Sequence, residues 1–192
     1  MDRMTQPRRR AARSDAQDNR ERIIETARTM FTDSPDATLQ SIAKAAGIGQ
    51  GTMYRHFPNR EALLLTVYRH DVEALVDAVP QLLAEHEPLE ALRLWLDQLA
   101  AYGRIKHGAS LAVEAATRAD LGNRYYAPVI AALDRLLSAG KTADRLRSDI
   151  DADEVLLLVS FLWRSDGGPD WQERSRRMLA VVIDGLRTGA PR

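Results

Sequence analysis

The sequence predicts an all-α protein in two parts, and three observations predict it. Apolar residues recur at helical spacing along most of the chain, and no segment reads as a strand. Gly47, Pro58, Pro80, Pro88 and the Gly103–Gly108 segment punctuate the periodic stretches. The stretch Thr38–Phe57 packs two short helical patterns around one glycine.

Taken in order, residues 1–17 are expected to form a flexible basic arm. Over residues 1–13, Arg3, Arg8, Arg9, Arg10 and Arg13 are opposed only by Asp2, with Pro7 among them and no apolar periodicity. No apolar run follows these arginines, so a secretion signal is not expected. Ser14-Asp-Ala-Gln17 has the spacing of a capping box and is expected to open the first helix, whose Ile23, Ile24, Ala27, Met30 and Phe31 share one face. Thr38 is a good N-cap for a second helix, with Ile42, Ala43 and Ala46 on its buried side. Gly47 stands where a left-handed residue is wanted, and the small Ala43 and Ala46 let the next helix approach. That helix, Gly49–Phe57, buries Met53 and Phe57, four residues apart. Gln50, Thr52, Tyr54, Arg55 and His56 are left to point elsewhere.

Pro58-Asn59 interrupts the pattern before a long helix carrying Leu63, Leu64, Val67, Tyr68, Leu75 and Val76. The first domain is therefore expected over residues 18–65 and the second over 66–192. Pro80 and Pro88 are expected to bound a linker, and Leu89, Leu92, Trp95, Leu96, Leu99 and Tyr102 trace the next apolar face. A break at Gly103–Gly108 is expected to precede a short helix over 109–119. A longer helix over Leu121–Ala139 follows, started or kinked by Pro128. Asp151-Ala-Asp-Glu154 is a second capping box, followed by Val155–Trp163, apolar almost all round. The final helix begins near Asp170 and presents Met178, Leu179, Val182, Ile183 and Leu186.

Two short helices joined at a glycine fit a helix-turn-helix, whose second helix enters the DNA major groove, and they also fit an ordinary helical hairpin. The side chains favour the first. Gln pairs bidentately with adenine, Thr offers a hydroxyl to a base or a methyl to thymine, and Arg reaches guanine or phosphate. Tyr54 has a plainer reading as a ring packed at the helix junction, and His56 as an ordinary surface or core residue.

Charge is distributed accordingly. The chain balances at 27 basic and 27 acidic residues, yet up to Ala62 it carries +3 and beyond it −3. Polyanion binding is thus favoured at the N-terminal end. Two readings fit the arm: Arg8, Arg9, Arg10 and Arg13 reaching phosphates or a narrow minor groove, or a solubilising tail. The length and a hydrophobic content of 45% allow a good core. The longest apolar run, Val155–Trp163, is far short of the roughly 18 residues of a membrane span, so no membrane partner is expected. The absence of cysteine excludes disulfides and thiolate metal sites and suits a cytoplasmic protein.

Thr38, Ile42-Ala43, Ala46-Gly47, Gly51-Thr-Met-Tyr-Arg-His-Phe57, Arg60 and Leu63 together resemble the N-terminal domain of the TetR transcriptional regulators. The likeness covers roughly residues 18–65 and includes the upstream helix; the rest is matched in outline. It implies a three-helix helix-turn-helix DNA-binding domain followed by a helical ligand-binding and dimerisation domain. By this resemblance Thr38, Tyr54, His56 and Arg60 take positions that hold DNA phosphates. Gln40, Gln50, Gly51 and Thr52 take positions that face base edges, and Arg55 serves either purpose.

The same resemblance implies a small-molecule pocket whose occupation moves the connecting helix and changes the spacing of two reading heads. Trp95, Tyr102, His107, Glu114, Tyr125, Tyr126 and Trp163 are the candidates, since each joins an aromatic face or apolar surroundings to a polar tip. Ordinary core packing explains most of them equally, and Glu114 also fits a water-facing position. Two apolar helices at the chain end can pair across a two-fold axis, which makes Leu158, Phe161, Leu162, Met178, Leu179, Val182, Ile183 and Leu186 candidates for a homodimer interface. The alternative is an intrachain core. A dimer also suits DNA geometry, because a second recognition helix roughly 34–36 Å away doubles the site and implies a palindromic operator.

The expected activity is repression released by a small molecule; nothing in the sequence looks like a polymerase-contacting surface. An effector-independent nucleoid-type binder keeps the same motif but predicts weak sequence discrimination. An enzyme gains little. There is no phosphate loop, metalloprotease pair or nucleophile elbow, the four histidines lack metal-ligand spacing, and no cofactor is implied.

Overall fold

The computed structural model describes residues 6–34, 36–107, 126–163 and 170–189, with the backbone alone described over 6–14, 102–107 and at 163. Every regular element among the described residues is a helix, and the one β feature is an isolated bridge between Leu146 and Arg187. The chain divides into two compact units, residues 1–67 and 68–192.

In the N-terminal unit α1 runs Gln6–Asp33. It opens eight residues before the Ser14 capping box and inside the stretch expected as a flexible arm. The physical reason lies in residue type. Pro7 falls in the first turn, where its missing N–H costs nothing, and the Arg and Ala that follow are strong helix formers. Ile23, Ile24, Ala27 and Phe31 are buried on one side. Helix α2 (Leu39–Ala45) is capped by a reciprocal pair: Thr38 Oγ1 accepts the Ser41 amide at 3.1 Å, and Ser41 Oγ accepts the Thr38 amide at 3.0 Å. Such a cap stabilises by about 1 kcal/mol.

The turn after α2 is a Schellman motif. Gly47 has φ +66°, its amide donates to the Lys44 carbonyl, and the Ile48 amide donates to the Ala43 carbonyl at 2.9 Å. Ile48 and Ala43, the two positions that the motif ordinarily pairs by an apolar contact, are both buried. Helix α3 (Gln50–His56) follows immediately, held by the buried pair Met53 and Phe57. Helix α4 (Arg60–Glu85) starts under Asn59, whose Oδ1 accepts the Ala62 amide at 2.8 Å.

The C-terminal unit takes α4 from Tyr68 onward. Pro80 lies inside that helix, and only two residues, His86 and Glu87, separate its end from α5 (Pro88–His107). The expected linker from Pro80 to Pro88 is thus wrong. Burial of Val79 and Leu82 on the core side outweighs the one backbone bond that Pro80 removes. Nor does the chain break at Gly103, since α5 continues through it. The helix expected over 109–119 lies outside the described residues.

Helix α6 (Tyr126–Thr142) carries Pro128 in its first turn, where Pro starts a helix rather than kinking it. Gly140 is required by packing: a Cβ there would run into the Leu146 side chain. Helix α7 (Ala152–Leu158) has the expected capping box, with Asp151 Oδ1 accepting the Glu154 amide at 2.8 Å and Glu154 Oε2 accepting the Asp151 amide at 2.9 Å. It tightens into a 3-10 turn over Val159–Trp163. Helix α8 (Trp171–Leu186) buries Trp171, Ser175, Leu179, Ile183 and Leu186 along one stripe. Its end is fastened by Arg147, whose amide donates to the Leu186 carbonyl at 2.9 Å.

Candidate nucleic-acid interface

The N-terminal unit leaves a polar and aromatic surface that its own core does not use. Met53 and Phe57 consume the inward face of α3, so Gln50, Gly51, Tyr54 and Arg55 are exposed and Thr52 and His56 half-exposed. Tyr54 is 53% exposed, which removes the plainer reading of its ring as junction packing. Gly51 is helical and has no protein atom within 4 Å of where a Cβ would stand. Folding therefore gains nothing from this glycine, which lacks the helix propensity of alanine.

Arg55 lies back along its own helix. Its Nε donates to the Gly51 carbonyl at 3.1 Å and a terminal nitrogen donates to Thr52 Oγ1 at 3.4 Å. The guanidinium thus shares the exposed edge with the residues expected to face bases. At the start of α2, Thr38 and Gln40 are also exposed. The threonine hydroxyl is used in both senses within the cap, its lone pair accepting the Ser41 amide at 3.1 Å and its O–H donating to Ser41 Oγ at 3.3 Å, a long bond that an exposed phosphate oxygen can replace. The His56 ring leans on Phe57, with centroids 6.3 Å apart.

Arg60, expected on a phosphate, is engaged within its own domain. Its Nε donates to the Ala37 carbonyl at 3.0 Å and its guanidinium carbon lies 5.0 Å from the centroid of the Phe31 ring, so the half-buried side chain turns into the domain. Arg20 is a residue the motif did not name. The fold brings its guanidinium carbon to 5.6 Å from the Phe57 ring centroid, placing an exposed positive charge at the C-terminal end of α3. Its only sequence signal is that it extends the Ile23, Ile24 and Ala27 stripe by one turn. Arg8, Arg9, Arg10 and Arg13 have helical backbone, and their side chains lie outside the description.

In the C-terminal unit the expected pocket residues separate. Trp95 is core: its ring is fully buried and its Nε1 donates to the Leu75 carbonyl at 2.9 Å, so both its surface and its polar tip are spent. Tyr126 is a surface residue, 47% exposed, with its hydroxyl donating to Asp153 Oδ1 at 3.3 Å. Partial burial and then the Asp153 carboxylate push its phenol above the ordinary value. Glu114 and Tyr125 lie outside the described residues, as do the side chains of Tyr102, His107 and Trp163.

The expected interface residues divide as well. Leu162, Leu179, Ile183 and Leu186 are buried within the unit and belong to its core, because the stripe they occupy packs inward. Phe161 and Val182 are half-buried against that core, while Leu158 and Met178 are exposed. Two residues that were not expected join them on the surface, Leu157 at 74% and Val181 at 73%. No helix among the described residues is long and apolar enough to cross a membrane.

Comparison with known proteins gives the family. Residues 23–67 match the bacterial regulatory proteins of the tetR family, and residues 87–188 match the C-terminal domain of SbtR-like transcriptional regulators. The chain belongs to the TetR family. As a TetR regulator it is similar to the TetR transcriptional regulator SCO0520 of Streptomyces coelicolor, at 36% identity and a TM-score of 0.76 over 89% of this chain and 99% of that one. It is likewise similar to a TetR regulatory protein of Mycobacterium vanbaalenii, at 31% identity and a TM-score of 0.70 over 92% and 99%. The helix-turn-helix transcriptional regulator SAR2658 of Staphylococcus aureus is 34% identical over 102 residues, 52% of this chain and 55% of that protein. The chain thus spans about half the length of the curated relatives it matches. The family implied by Thr38–Phe57 is the family found, and this TetR protein is a DNA-binding transcriptional regulator rather than an enzyme.

Proposed function

We propose that the chain acts in the cytoplasm as a homodimeric repressor of a palindromic operator and is released by a small molecule. One observation carries the DNA reading: the outward face of α3 holds Gln50, Gly51, Thr52, Tyr54 and Arg55, none of which is buried in the core. In this reading Gln40, Gln50, Gly51 and Thr52 meet base edges, with Gly51 admitting the DNA where a side chain would stand in the way. Thr38, Tyr54 and His56 hold phosphates, and Arg20 adds a charge beside them. Arg55 swings from the Gly51 carbonyl to a base or a phosphate.

Dimerisation is supported by Leu157, Leu158, Met178 and Val181, large apolar side chains exposed on α7 and α8. Release by an effector rests on the family alone, and it requires a ligand that binds two conformations with different affinity.

The test is selection of genomic DNA fragments by the full-length protein, with its mass followed by sedimentation. An inverted repeat bound by a dimer is expected. Enrichment of no motif would support a nucleoid-type binder instead, and an unpaired half-site bound by a monomer would overturn the dimer.

A further inference from the structure

Arg60 stands where a helix ordinarily avoids a cation. Asn59 caps α4, so Arg60 is the first helical residue and lies at the positive end of the helix dipole. The compensation is tertiary. Its Nε donates to the Ala37 carbonyl at 3.0 Å, and its planar guanidinium stacks within 5.0 Å of the buried Phe31 ring. Ala37 immediately precedes Thr38, the cap of α2, and Phe31 lies in the last turn of α1. One side chain therefore ties the end of α1, the start of α2 and the start of α4.

We propose that Arg60 is a positioning residue for operator binding: it fixes the carbonyl ahead of Thr38, so that the Thr38 hydroxyl and the first turn of α2 meet the DNA backbone in one geometry. It does not itself take a phosphate. This rests on the reading of Thr38 as a phosphate contact. The chemistry distinguishes the two roles, because a phosphate ligand needs positive charge, whereas the clamp needs a planar group with an N–H at the position of Nε. Lysine keeps the charge and loses the planar donor. Glutamine loses the charge, and its amide nitrogen falls at the same distance along the side chain as Arg Nε.

The experiment measures binding of the full-length protein to a selected operator fragment at several salt concentrations, for Arg60→Gln and Arg60→Lys, each alone and combined with Thr38→Ala. Arg60→Gln is expected to bind within about threefold of the parent with an unchanged salt slope, and Arg60→Lys about tenfold more weakly. In the Thr38→Ala background the loss from Arg60→Lys should shrink to under about twofold, since coupled residues are not additive. Equal losses for the two variants, or the reverse order with a slope lowered by about one in Arg60→Gln, would overturn the proposal. If Thr38→Ala weakens binding and Arg60→Lys adds its full loss on top, positioning through Thr38 is wrong while the Thr38 reading survives. If Thr38→Ala binds like the parent, both fall.

Discussion

The two units leave opposite kinds of residue on their surfaces. In the N-terminal unit the side chains left outside α3 are Gln50, Thr52, Tyr54, Arg55 and His56, polar or aromatic with polar tips. In the C-terminal unit α7 and α8 leave out Leu157, Leu158, Met178 and Val181, all apolar. A polar face suits a wet, charged partner such as DNA, and an apolar one suits a surface that excludes water. The difference also separates what each unit needs from its core. Two anchors, Met53 and Phe57, suffice for the seven residues of α3, whereas α8 spends a whole stripe from Trp171 to Leu186 on its own unit.

The largest expected effect tests which apolar residues are core. Trp95→Ala should cost about 3–5 kcal/mol in thermal or denaturant unfolding, as large-to-small changes in a packed core do. A loss below about 1 kcal/mol would mean that the ring lines an open cavity after all. The apolar surface is tested next, by Leu157→Glu with Val181→Glu. The unfolding of the monomer should barely change, while dimer dissociation followed by sedimentation rises at least about a hundredfold from burying charge in an interface. An unaltered dimer would move the interface elsewhere.

On the polar face, Gln50→Ala and Thr52→Ala should each change discrimination at one or two operator positions by about 1–3 kcal/mol. Equal weakening on every sequence would remove them from base reading. Tyr54→Phe and His56→Ala should do the opposite, lowering affinity by about 1 kcal/mol regardless of sequence. Unchanged binding across salt concentrations would end their assignment to phosphates. The smallest effect has two signs. Gly51→Ala should raise folding stability by about 0.5–1 kcal/mol while weakening operator binding. Gains in both would mean that DNA does not approach there.

The reading head was legible because its determinants are local. Thr38 as a cap, Gly47 as a left-handed turn and Met53 with Phe57 as a four-residue pair all act within a few positions of themselves. The errors arose where a local rule competed with long-range packing. Pro80 has the local signature of a break, yet buried neighbours carry α4 through it; Ser14 has that of a cap, yet Arg and Ala carry α1 past it. The contacts of Arg20 and Arg60 have no local signal for the same reason, since each finds its partner far along the chain.

By itself, then, the sequence determined the helical class, the family and the residues offered on α3, since these follow from spacing and side-chain chemistry. Only the tertiary structure decided which members of a periodic apolar stripe turn inward. Met178 and Leu179 both belong to the apolar face that the spacing predicts, and packing of α8 within its unit buries Leu179 and leaves Met178 exposed.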